Sequence, residues 1–156
     1  MYKVQITRKV ARHTLAPNDL NITEWVTAAV RQERSAASVS VCLVTRTLMA
    51  ELNAKYAHKH YATNVLAFPA ELPQALPQLP PLLGDIVICP AVVNAAARRY
   101  NMPLLEHWQH IVIHGTLHLL GYDHQEAAAA QQMEAREISL LASDGVPNPY
   151  EDGAVL

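Results

Sequence analysis

Histidine recurs at positions 114, 118 and 124, four and then six residues apart, with Gly121 between the last two. On a helix, side chains at i and i+4 lie one above the other on the same face. His114 and His118 can therefore aim two imidazoles at one ion. Gly121 falls where that helix is expected to stop, because glycine tolerates the left-handed conformation that caps helices. The chain can then turn back and bring His124 to the same ion. Three neutral nitrogen ligands with a fourth position left for water make up a catalytic zinc site. The stretch therefore predicts a helix, a glycine stop and a return, with one metal ion between them.

A lone histidine on an apolar helix face is usually a satisfied core residue, and surface pairs at i, i+4 are common. The third histidine, placed after a glycine, is what favours a metal. His107 and His110 lie on the same expected helix, and His110 is one turn before His114. Packing, or support of a ligand, is the expectation for both. Asp123 can hold an imidazole in its metal-binding tautomer, or it can brace the turn; both readings stand.

The rest of the chain alternates strands and helices. Tyr2, Val4 and Ile6 against Lys3, Gln5 and Thr7 read as a strand. Pro17-Asn18-Asp19 opens a helix, with Asn18 or Asp19 as N-cap. Its expected apolar face is Leu20, Trp25, Ala28 and Ala29, and it ends near Arg34. Ser38 to Val44 is a second strand, and Thr45 can cap a helix carrying Leu48, Met49, Leu52 and Tyr56. Asn64 to Phe68 is a short third strand. Prolines at 69, 73, 77, 80 and 81 exclude regular structure from a segment expected to be a mobile surface loop. Leu82 to Cys89 supplies a fourth, central strand. Pro90 suits the first turn of a helix running to about Tyr100. Beyond Asn101-Met102-Pro103, a longer helix through Trp108, Ile111, Val112 and Leu117 carries the histidines. Strong helix formers, with Met133, Glu134, Ile138 and Leu141 among them, predict a closing helix to about Ser143. Too few connections are long enough for an all-parallel sheet. The expected fold class is α+β: a single domain over residues 1–144 with a mixed four-stranded sheet flanked by helices, the metal site on a helix-turn, and a loose tail over residues 145–156.

Composition narrows the function classes. At 51% hydrophobic and 17% charged residues, the chain has the make-up of a globular protein rather than a disordered one. No apolar run approaches the ~20 residues that cross a bilayer, and the amino terminus has no apolar h-region. Cys42 and Cys89 each sit in an apolar run and are expected to be buried free thiols, which points to an intracellular compartment. A net charge of −2 is not that of a dedicated nucleic-acid binder. Residues 1–60, however, hold nine Lys/Arg against four Asp/Glu, a balance of +5, whereas residues 61–156 hold three against ten, a balance of −7. Such asymmetry can form a basic face for an anionic polymer.

The histidine spacing is that of the metzincin proteases, His-Glu-x-x-His-x-x-Gly-x-x-His, with Gly115 in place of the general-base glutamate. Glycine cannot take a proton, so the usual peptide hydrolysis is disfavoured. The whole stretch, His-Gly-Thr-Leu-His-Leu-Leu-Gly-Tyr-Asp-His, resembles the signature of the YbeY family of bacterial zinc-dependent endoribonucleases. Further blocks resemble the family in order: Leu52-Asn53-x-x-Tyr56, Thr63-Asn64-Val65-Leu66-Ala67-Phe68-Pro69, Gly84-Asp85-Ile86-Val87-Ile88, and Met133-Glu134 with Glu137. The resemblance implies one zinc per chain on His114, His118 and His124. It also implies a cytoplasmic, single-strand-specific endoribonuclease acting on ribosomal RNA, in small-subunit 3′-end maturation and ribosome quality control. Its partners would be ribosomal RNA and the small subunit, with no membrane or DNA. After the Asn-x-x-Tyr block the family normally carries an arginine; this chain has Ala57, and His60 where an acidic residue is usual. Lys55 and Lys59 are the candidate RNA contacts there, as point charges rather than a bidentate fork. The missing arginine motivates the alternative of a ribosome-assembly factor with a mainly structural zinc.

Overall fold

The amino-terminal alternation becomes strand β1 (Tyr2–Lys9), with Tyr2, Val4 and Ile6 turned toward the core. The computed structural model describes residues 1–71 and 80–151. In chain order, α1 (Asp19–Arg31), β2 (Ala37–Val44), α2 (Arg46–Ala57), β3 (Val65–Pro69), β4 (Leu82–Ile88), α3 (Pro90–Arg99), α4 (Leu104–Leu119) and α5 (Ala127–Ser143) follow. The sheet order is β1-β2-β4-β3, so β4 lies inside the sheet as expected. β1 and β2 pair in parallel, as do β2 and β4, whereas β3 runs antiparallel to β4. The sheet is therefore mixed, and β3 is its edge on the side that matters below.

Period-two alternation sends successive strand residues to opposite faces. Val39, Val41, Ile86 and Ile88 join Ile22, Trp25, Trp108 and Ile111 in the core under α1 and α4. Val44, Leu66, Phe68 and Val87 meet Met49 of α2 on the other face. Buried apolar side chains on both faces explain why β4 reads as a near-continuous hydrophobic run. Gly84, at φ +145, lets two backbones meet: a Cβ there would lie 2.2 Å from the Phe68 carbonyl oxygen. Asn18 and Thr45 cap α1 and α2 through their side chains. Cys42 and Cys89 are free thiols, Cys89 fully buried. Among the described residues no helix is long and apolar enough to cross a membrane.

Some expectations shift. The buried stripe of α1 is Ile22, Trp25, Val26, Ala29 and Val30, at the i, i+3, i+4, i+7, i+8 spacing of a core-facing helix. Leu20 is 64% exposed, and the helix ends at Arg31. On α5 the buried residues are Met133, Glu137, Leu140 and Leu141, so a carboxylate, that of Glu137, faces the core. Most of the expected proline-rich loop, residues 72–79, lies outside the described residues, as do residues 152–156 of the tail. Within the described part of that tail, Val146 packs against the cluster around Ile113 and Leu117. The Tyr150 hydroxyl hydrogen-bonds Glu137, so these residues have partners of their own in the fold.

Candidate metal centre

Helix α4 stops as the glycine predicted. Leu120 is the C-cap and Gly121, at φ +101, takes the C′ position. The Gly121 N–H donates to the His118 carbonyl and the Tyr122 N–H to that of Leu117, the paired bonds of a Schellman motif. Tyr122 and Leu117 share one apolar cluster, which anchors the returning chain. The turn thereby brings His124 back to the face of α4 that carries His114 and His118.

One nitrogen of each of these three imidazoles lies within 4.8 Å of the other two. The Nε2 atoms of His114 and His118 are 3.2 Å apart. At the usual Zn–N length, two ligands of a tetrahedral ion stand about 3.3 Å apart, so this pair is already spaced as two of its corners. His124 sits on an exposed turn, where its side chain has room to complete the set. The imidazole of His118 is pushed down to about 4 by burial and by the neighbouring His114 and His124. It is neutral at pH 7 with a lone pair to give, and the donor set fits zinc. The site also lies at the C-terminal end of α4, where the helix dipole favours a cation.

The residues around the three histidines divide unevenly. Asp123 Oδ1 accepts the backbone N–H groups of His124 and Gln125, so its carboxylate braces the turn. Glu137 of α5 is the carboxylate beside an imidazole. Its Oε2 accepts a hydrogen bond from His110 Nε2 and lies 3.4 Å from His114 Nδ1. Its Oε1 accepts the Tyr150 hydroxyl at 2.8 Å. Burial pushes the Glu137 carboxyl upward, but the hydrogen bond from His110 and the neighbouring His114 imidazole outweigh it and hold the group at about 2. Spacing from the histidines marks neither Glu137 nor Tyr150 as a neighbour of the cluster. The available signal was an acidic residue at helical spacing with Met133, Leu140 and Leu141, because a buried carboxylate needs partners.

Lys55 and Lys59 stand elsewhere. Both belong to the end of α2 and the loop after it, on the opposite sheet face from α4. Lys55 lies over the Tyr56 ring, 5.1 Å from its centroid, and that ring meets Phe68 edge-on. Buried Asn53 organises the loop: its carbonyl takes the His58 and Lys59 N–H groups, and its side chain donates to the Tyr61 carbonyl. The loop then leads to Val65, whose side chain lies beside Gly115. Ala57, at the last position of α2, offers no cation.

His107 is buried, and its Nε2 has no partner among the described residues. Burial, reinforced by nearby His110, lowers its pKa to about 4. The unfolded chain takes up that proton near 6.5, the folded chain only near 4. Stability is therefore fully present above about pH 6.5 and declines toward pH 4, by up to about 3 kcal/mol from this residue. Urea unfolding at several pH values tests it: His107→Gln is expected to flatten the slope in that window, and an unchanged slope refutes the assignment.

A family model described as Endoribonuclease YbeY matches residues 5–144. The Endoribonuclease YbeY of Pseudomonas entomophila (strain L48) is 49% identical over 142 residues, covering 91% of this chain and 90% of its own length. That of Pseudomonas putida (strain KT2440) is 46% identical over 152 residues, covering 97% and 95%. The solution structure of TM1509 from Thermotoga maritima is similar in fold, with a TM-score of 0.58 and 24% identity over 98% of this chain and 99% of that one.

Proposed function

The chain belongs to the YbeY family of endoribonucleases, and from that premise we propose that it is a zinc-dependent endoribonuclease acting on single-stranded ribosomal RNA. In the cell it would serve small-subunit 3′-end maturation and ribosome quality control, working in the cytoplasm on the small subunit. The observation that carries the reading is the convergence of His114, His118 and His124 at the end of a helix with Gly115 where a protease has its base. When bound there, zinc supplies a Lewis acid that polarises a phosphoryl oxygen and makes water a nucleophile near neutral pH. The three imidazoles would hold the ion, and the Schellman turn sets the third against the first two. Lys55 and Lys59 meet the RNA backbone on its way round the β3 edge, which gives binding a marked salt dependence.

Ala57 favours a second reading, a ribosome-assembly factor in which zinc is mainly structural. A fixed guanidinium at a developing phosphoryl charge is a strong contribution, and Ala57 has none. Cleavage of a single-stranded RNA by zinc-loaded protein decides between them. Wild type is expected to cleave and His114→Ala to lose that activity. Cleavage unchanged in His114→Ala, or none by the zinc-loaded wild type, defeats the nuclease reading.

A further inference from the structure

Once His114 Nε2 is committed to an ion, its Nδ1 carries the ring proton and needs an acceptor. That Nδ1 is buried and, among the described residues, makes no hydrogen bond. The Oε2 of Glu137 is 3.4 Å away, on a side chain only 1% exposed. A buried carboxylate is held in one place only if its other valences are taken. Here His110 donates to Oε2 and Tyr150 to Oε1. The Tyr150 ring also stands edge-on to His110, with centroids 5.4 Å apart. Two partners, one from α4 and one from the segment after α5, thus fix one carboxylate against one imidazole. Tyr150 lies beyond the residues 5–144 that match the family model.

We propose that Glu137, braced by Tyr150, is the positioning residue that fixes the His114 imidazole for its metal ion. The proposal rests on the reading that His114 is a metal ligand. Glu137 acts through His114 and touches no substrate. It selects the tautomer with Nε2 free, restrains the ring, and raises its basicity as a donor. Tyr150 extends this support to residues expected to be a loose tail.

Zinc affinity is the readout, measured by competition with a chromophoric chelator at a temperature well below the unfolding midpoint of each metal-free variant. Losing a supporting carboxylate costs roughly 10- to 100-fold in metal affinity, and that loss is expected for Glu137→Gln. Tyr150→Phe, which removes one hydroxyl and keeps the ring, is expected to lose roughly 3- to 10-fold. The visible spectrum of the cobalt-substituted protein is expected to shift in both, because ligand geometry changes. A purely structural role would lower the unfolding midpoint and leave affinity and spectrum alone. Wild-type affinity and spectrum in Glu137→Gln overturn the proposal. If that variant does not fold, the same result in Tyr150→Phe overturns it. Failure of the wild type itself to bind zinc removes the metal reading and this proposal with it, a result distinct from equal binding by wild type and variants.

Discussion

Zinc content is expected to fall from about one ion per chain to background when His118 is replaced by alanine. RNA cleavage is expected to fall with it, by at least about 10³-fold. The scale follows from the position of the residue. Removing a group that only supports a ligand already costs about 10- to 100-fold in affinity, and His118 would be the ligand itself. Its Nε2 is 3.2 Å from that of His114, and burial together with neighbouring imidazoles keeps it neutral. Loss of a single fixed donor at a developing charge costs on the order of 10²–10³ in rate, and loss of the ion removes more. His124→Ala is expected to be milder, since His124 stands on an exposed turn and His114 and His118 keep the closer pair. Elemental analysis alongside cleavage of a single-stranded RNA checks both. Full zinc occupancy in His118→Ala would remove this residue from the ligand set.

The second large effect concerns Gly115, where a metzincin carries its glutamate. Restoring that residue, Gly115→Glu, is expected to unfold the domain rather than create a protease. A Cβ at 115 would sit 2.9 Å from Ile86 Cγ2 and 3.2 Å from Val65 Cγ2. Both neighbours are β-branched and stiff at χ1, and Ile86 is fully buried between α4 and the sheet. Overpacking of this kind costs about 1–3 kcal/mol. For Gly115→Ala that cost is partly offset by the helix propensity of alanine, worth about 1 kcal/mol. Glutamate adds a carboxylate with no partner in an apolar contact, a further cost of several kcal/mol. Together these approach the whole stability of an ordinary domain, with a fall in Tm of about 15 °C or more for a chain of this length. Thermal and urea unfolding are the measurements, and wild-type stability in Gly115→Glu refutes the packing argument. Gly115 thus lets α4 lie close against Ile86 and Val65 of the sheet.

Lys55 and Lys59 show a limit of reading along the chain. Lys55 lies in the last turn of α2 and Lys59 just beyond it, on the far sheet face, and the loop fixed by Asn53 relates them to the β3 edge. Sequence spacing carries no such information. The stripe of α1 shows another: Leu20 and Ile22 are equally plausible anchors by composition, and the phase of the helix against α4 and β1 decides for Ile22.

The sequence by itself determined what local stereochemistry fixes. The i, i+4 pair His114–His118, the glycine stop at 121 and the return of His124 all lie within eleven residues, where helix pitch and the freedom of glycine leave few alternatives. The alternation of the strands and the capping residues Asn18 and Thr45 are of the same kind. Only tertiary packing sets which carboxylate lies beside an imidazole of the cluster. Asp123, beside His124 in sequence, is taken up by backbone N–H groups. Glu137 and Tyr150 reach His114 and His110 from other segments. Their meeting depends on how α5 docks on α4, a matter of long-range packing that no local spacing encodes.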